Sequence, residues 1–121
     1  RAVDEAAHDD ETHVVVLHGR GACFCAGADL DVLVGLRDGY SPSQAFLPTV
    51  EALQHAVYSL ATAPKVTLAA MHNAALGAGL DLALACDLRI AVDSTYFAIP
   101  ELDAGIPLAW GGIPRLVRER C

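Results

Sequence analysis

Apolar positions follow two different rhythms along this chain. Phe46, Val50, Leu53, Val57 and Leu60 recur at spacings of three and four, the period of one helix face, and predict a long amphipathic helix. Ser41 suits its N-cap, Pro42 its first helical position, and Ala63-Pro64 its end. Elsewhere the apolar residues form short continuous runs bounded by turn residues. "HVVVLHG", "KVTLAAMH" and "LRIAV" read as buried strands, with "YFAI" as a shorter fourth. Residues 2 to 8 carry helix formers ahead of the acidic turn "HDDET". Another helix is expected near Asp29, whose carboxylate suits a helix N-terminus, and a last one from about Ile113. "NAALGAG" reads as a loop. "LDLALAC" reads as a short helix, apolar nearly all round and hence central. Strands alternating with helices place the chain in the α/β class. With no sequence repeat and no low-complexity linker, residues 1 to 121 are expected to form one domain.

Composition narrows the function classes. The 121 residues are 54% hydrophobic but only 6% aromatic, so the apolar mass is Ala, Leu and Val, which suits close packing of helices on strands. The formal net charge of -7 argues against a nucleic-acid partner. Cys23, Cys25, Cys86 and Cys121 lack zinc-ligand spacing, so free, mostly buried thiols in a reducing compartment are expected, with no metal. No signal peptide and no bilayer-length apolar run is evident, so no membrane partner and a cytoplasmic location are expected. The chain opens in what reads as a helix tail and stops inside another helix. It therefore reads as a fragment, expected to be aggregation-prone and weakly active alone.

Two loops share one grammar. "CAGADL" follows the first strand and "ALGAGLDL" the second, each running strand, glycine loop, helix start. Such places leave backbone N–H groups without internal acceptors, and glycine allows sharp turns and close ligand approach. Two such loops on neighbouring strands can bring two N–H groups to one point, the geometry of an oxyanion hole. The phosphate loop GxxxxGK[ST], a complete dinucleotide fingerprint and GxSxG are all missing. Asp81 stands alone in the most apolar run of the chain, where desolvation should raise its pKa. It also fits a first-turn acid satisfied by backbone N–H groups. Glu101 fits an exposed loop acid as well as a catalytic one. His72 reads as part of a turn with Asn73, Cys25 as a packing residue, and Asp87 and Arg89 as a pair or caps around the third strand. Trp110 reads as ordinary packing or as a wall of a ligand pocket.

"VVVLHGRGACFCAGADL", "AALGAGLDLALACDLRIA" and "FAIPELDAGIPLAWGG" together resemble three successive signatures of the enoyl-CoA hydratase/isomerase (crotonase) family, over about His13 to Arg120. The resemblance implies a crotonase-like ββα superhelix, of which this chain is the core portion, and an acyl-CoA thioester substrate. It implies no separate cofactor, coenzyme A being part of the substrate. The backbone N–H groups of Ala28 and Ala78 would hold the thioester oxygen. Ala26, Ala28, Asp29, Leu30, Gly77, Ala78 and Glu101 would line the substrate. Asp81 and Glu101 fill the family's two acidic positions, Asp81 standing where the best-known hydratases carry Glu. The reaction implied is addition of water to a 2-enoyl thioester, with Glu101 as main proton-transfer residue and Asp81 as partner and water positioner. A 3-enoyl to 2-enoyl isomerase and a non-catalytic acyl-CoA-binding subunit are the alternatives. Relatives form trimers or pairs of trimers, so a homo-trimer or hexamer is implied for a full-length protein.

Overall fold

The computed structural model describes residues 1–29, 42–103, 105 and 110–118, with side chains omitted for residues 42–47. The helix expected near Asp29, together with Leu30, Ser41 and Cys121, lies outside the described residues. Helix α1 (Ala2–His8) leads into the acidic turn, where Asp9 accepts hydrogen bonds from the Glu11 N–H at 3.1 Å and the Thr12 hydroxyl at 2.8 Å. Strand β1 (Val14–His18) follows, and the chain continues to α2 (Pro42–Ala61), which starts at the proline anticipated for its first position. Then come β2 (Val66–Met71), β3 (Ala74–Leu76), α3 (Ala78–Ala85), β4 (Leu88–Ala91), β5 (Tyr96–Ala98), a 3₁₀ turn (Pro100–Leu102) and α4 (Gly112–Arg118).

The strands form two parallel sheets, one in the order β1-β2-β4 and one pairing β3 with β5. Cys25 bridges to Ala75 on the other edge of β3, through Cys25 N–H to Ala74 O at 3.1 Å and Leu76 N–H to Cys25 O at 3.0 Å. The chain thus visits the first sheet, then the second, then a helix: β1, Cys25, α2; β2, β3, α3; β4, β5, α4. This is the ββα repeat of a superhelix, present in the structure without any repeat in the sequence. One expectation is corrected. "NAALGAG" is not all loop, because its Ala74–Leu76 form a strand and α3 already begins at Ala78. Three residues flanked by Asn and Gly give no periodicity to read; pairing with β5 and Cys25 makes the strand.

Helices cover one face of the first sheet. Val57 and Leu60 of α2, each 3% exposed, pack with Ala69, Met71, Ala83 and Ala85 in the core. On the opposite face Val14, Val16, Val66, Leu88 and Ile90 are exposed, aligned by the registers Val14↔Val66 and Leu68↔Leu88. Parallel sheets are ordinarily covered on both faces. Within the described residues this face is apolar and open. Among the thiols Cys86 is buried, whereas Cys23 and Cys25 are only half-buried; all three are free.

A polar clip joins β2 to the entry of β4. Thr67 is fully buried, and its N–H and hydroxyl both donate to Asp87 Oδ2 at 2.8 Å, while the Asp87 N–H donates back to the Thr67 oxygen at 2.9 Å. Arg89 donates to the carbonyls of Cys86 at 2.6 Å and Ala83 at 3.4 Å, closing the C-terminal end of α3. Asp87 thus clips β2 to the entry of β4, and Arg89 caps the end of α3. The Thr67 N–H, followed by its hydroxyl, holds the Asp87 carboxyl below its ordinary pKa. Its contribution is present above the ordinary carboxylate range and is lost as pH falls through the lowered value. Asp87→Ala leaves two donors of a buried threonine unpaired and is expected to cost about 1–3 kcal/mol. Urea unfolding at pH 7 should show that loss, and the gap to the unchanged protein should narrow on acidification.

Candidate active site

The first turn of α3 is where the site is assembled. Gly77 adopts φ 50°, ψ -118°, a conformation that side chains disfavour, and its N–H donates to Ala98 O at 3.0 Å. A Cβ on Gly77 would collide with the Glu101 carboxyl group. The missing side chain at 77 is thus the seat of the Glu101 side chain, and β5 delivers Glu101 there through the 3₁₀ turn. A Cβ on Gly79 would meet Cys25 Cβ at 2.5 Å and Sγ at 2.8 Å. The second glycine therefore lets the start of α3 lie directly on the loop that follows β1. Both glycines of the "GAG" stretch are close-approach positions, facing different neighbours.

Asp81 occupies the same first turn of α3. Its N–H donates to Gly77 O at 3.1 Å, and the residue is 0% exposed. Among the described residues neither carboxylate oxygen has a hydrogen-bond partner, and Glu101 Oε2 is likewise buried without one. This excludes both bland readings of the acids. Asp81 is not satisfied by backbone N–H groups, and Glu101 is half-buried rather than an exposed loop acid. Burial first, and then the nearby Glu101 charge, push the Asp81 carboxyl up from 3.8 to about 6, while Arg115 opposes the rise. Unpaired buried carboxylate oxygens are costly, and they concentrate where a substrate or water supplies the missing partner.

The Ala78 N–H lies in the same turn as Asp81. Ala78 is the first residue of α3, and among the described residues its N–H has no backbone acceptor. In the other loop Gly27 (φ 95°) turns toward the carbonyl of Leu76, where a Cβ would sit 3.4 Å from the oxygen. Ala28 and Asp29 follow it and are exposed, as is Ala26. His72 and Asn73 pin the start of this loop. The His72 ring is 3.0 Å from Gly21 O, and the Asn73 amide donates to Ala22 O at 2.8 Å. Sequence reasoning placed His72 in a turn with Asn73 and missed that both reach across to the loop. The only cue was their position at the end of a strand.

Among the described residues, three grooves lie around α3 and α4, and neither acid is among their lining residues. One of about 700 Å³ is apolar, walled by Leu80, Leu84, Phe97, Ile99, Leu102 and Leu116 among others. A second of about 520 Å³ lies between α2 and the turn before α4, with Glu51, His55, Tyr58, Trp110 and Arg115. The third, about 450 Å³, lies at the C-terminal end of α3. Trp110 packs against the core, as ordinary packing anticipated, and also lines the groove toward α2. Among the described residues no three His, Cys, Asp or Glu side chains come together as a metal site.

This geometry can be set beside that of known proteins. The profile of the family described as enoyl-CoA hydratase/isomerase matches residues 1–120. The chain belongs to the enoyl-CoA hydratase/isomerase family. A protein named probable enoyl-CoA hydratase from Bacillus subtilis is 36% identical over 96% of this chain and 43% of its own length. A peroxisomal Delta(3,5)-Delta(2,4)-dienoyl-CoA isomerase from Arabidopsis thaliana is 29% identical over 96% of the chain and 44% of that protein. The crystal structure of an enoyl-CoA hydratase from Polaromonas sp. JS666 superposes with a TM-score of 0.85 at 34% identity, covering 99% of this chain and 46% of that one. The fold is that of the crotonase core, and the chain spans less than half the length of these relatives.

The raised Asp81 value has a direct consequence for stability. Between 3.8 and about 6 the native state holds this proton more tightly than the unfolded chain does. The contribution of Asp81 to stability therefore falls as pH rises through that window. Asp81→Asn removes the buried charge and is expected to raise the melting temperature at pH 7 to 8 by about 4 °C or more, with little change below pH 4. Thermal unfolding across pH 4 to 8 measures both.

Proposed function

We propose that the protein is an enoyl-CoA hydratase, adding water across the double bond of a 2-enoyl-CoA thioester. The observation that carries this reading is the pair of acids at the start of α3, Asp81 fully buried with both oxygens unpartnered and Glu101 seated on Gly77. In the reaction, water oxygen bonds to C3, a proton is delivered to C2, and negative charge passes through the thioester oxygen as an enolate. The N–H groups of Ala28 and Ala78 take that charge; one such donor is worth about 3–4 kcal/mol in comparable sites. Glu101 takes the proton from water and returns one to C2. Asp81 positions the water and, with its raised proton affinity, keeps a second acid available near neutral pH. Ala26, Asp29 and Gly77 would border a bound thioester, with Leu30, outside the described residues, named for the same role by the family resemblance. No resident cofactor enters the scheme.

A second reading has its own support. Asp81 carries a shorter side chain than the glutamate of the best-known hydratases, and one relative is named a dienoyl-CoA isomerase. An isomerase moving a 3-enoyl double bond to position 2 uses the same N–H pair and needs only one acid. Retention of acyl-CoA binding without turnover would instead indicate a binding subunit. A homo-trimer or hexamer for the full-length protein, and a cytoplasmic location, belong to the same proposal. Among the described residues no helix is long and apolar enough to cross a membrane.

A panel of 2-enoyl and 3-enoyl CoA esters, read by mass, separates the two reactions: hydration adds one water, isomerisation leaves mass unchanged. In the full-length protein Glu101→Gln is expected to lower turnover about 100-fold or more while acyl-CoA binding persists. Unchanged turnover would move the chemistry to other residues.

A further inference from the structure

Asn73 is exposed and has no part in the catalytic scheme, yet both of its polar ends are engaged. Its side-chain amide donates to Ala22 O at 2.8 Å, in the loop that follows β1. Its main-chain carbonyl accepts the Tyr96 N–H at 2.7 Å, at the first residue of β5. The residue lies between β2 and β3 with φ 57°, the single non-glycine position in the left-handed region among the described residues. Across it the Ala74 N–H donates to His72 O at 2.7 Å, which closes a tight three-residue turn. Asparagine tolerates this backbone better than most side chains do.

Each of the three segments that meet here leads to a part of the site. The loop after β1 runs on to Gly27 and Ala28. Strand β3 leads to Gly77 and Ala78. Strand β5 leads through the 3₁₀ turn to Glu101. The loop is fastened to the β2–β3 turn at successive points. The Phe24 N–H donates to His72 O at 3.0 Å and the Cys25 N–H to Ala74 O at 3.1 Å, and these bonds hold its downstream half. The Asn73 amide on Ala22 and the His72 ring, 3.0 Å from Gly21 O, hold its upstream half. A Cβ on Gly19 would collide with the Cys23 carbonyl, so the loop doubles back tightly between these anchors.

We propose that Asn73 is a positioning residue for the oxyanion hole, its amide and its left-handed backbone together setting the loop after β1, β3 and β5 in register. The purpose rests on the catalytic reading of Ala28, Ala78 and Glu101; the geometry does not require turnover. The two halves of the residue do separable work. The left-handed backbone turns the chain from β2 into β3 and presents the carbonyl that starts β5. The amide reaches the other way, to the loop that carries Ala28. A donor misplaced by about 1 Å can cost on the order of 100-fold in rate, so loosening of this loop is read first in turnover.

The test is hydrogen–deuterium exchange together with steady-state kinetics on the full-length protein carrying Asn73→Gly, Asn73→Asp or Asn73→Ala. Asn73→Gly keeps the backbone angle and removes the amide. Asn73→Asp tolerates the angle but turns an acceptor toward the Ala22 carbonyl. Asn73→Ala loses both. Exchange over residues 19–28 is expected to quicken about five- to tenfold in all three, the scale of one lost hydrogen bond. Exchange over β5 should quicken in Asn73→Ala alone. In each variant kcat is expected to fall about tenfold or more, with acyl-CoA binding changed less than about threefold. If Asn73→Gly matches the unchanged protein in loop exchange and kcat, the proposal is overturned, because a turn residue alone suffices. An unchanged kcat beside a quickened loop would overturn it as well. So would faster exchange spread evenly over the chain, or failure of Asn73→Gly to fold, both marks of a general structural role. Absence of enoyl-CoA turnover in the unchanged protein would refute the catalytic reading, and the exchange pattern would still decide whether Asn73 sets the loop.

Discussion

The Glu101 carboxyl lies in the space that a side chain on Gly77 would fill, and the geometry of the site follows from that contact. Gly77 joins β3 to α3 as the helix's N-cap, and bonds to β5 through the Ala98 carbonyl. Three elements therefore meet at one α-carbon. Because nothing projects from it, the acid that leaves β5 folds back over the first turn of α3, where Asp81 is buried. Any side chain at 77 would push Glu101 away and strain a backbone angle suited to glycine.

That contact explains the burial of charge in a run of apolar residues. Among the described residues the Asp81 carboxylate lacks hydrogen-bond partners, so folding places it there at a cost. Desolvation and Glu101 raise its affinity for a proton, and Arg115 restrains the rise. Sites that store such tension are those where a ligand or a reacting water completes the missing bonds. The polar clips found elsewhere are fully bonded. Thr67 and Asp87 satisfy each other, and Arg89 closes the end of α3. Among the described residues the two acids, with Thr95 Oγ1 and Trp110 Nε1, are the buried side-chain groups without a hydrogen-bond partner.

The parts of this fold visible in the sequence were those set by local pattern. The run Val50, Leu53, Val57, Leu60 specified α2, and continuous apolar runs specified β1, β2 and β4. Strand β3 was invisible because three residues carry no period, and its hydrogen bonds come from Cys25 and β5, distant in sequence. Asp81 stood out as an acid in an apolar run, and Glu101 through resemblance to the family. The seating of Glu101 on Gly77 at the start of α3 could not be read locally, since it depends on β5 lying beside β3.

Infrared difference spectroscopy of the unchanged protein against Asp81→Asn, scanned from pH 4 to 8, tests the buried acid pair most directly. A protonated carboxyl has its own carbonyl band, and the substitution assigns that band to Asp81. The account predicts an Asp81 carboxylic acid band, free of strong hydrogen bonding, that persists at pH 5 and disappears around pH 6. A band already lost near 3.8, the ordinary value for an aspartate, would contradict it. Asp81 would then be a solvated or hydrogen-bonded carboxylate, and the paired-acid site would not exist as described.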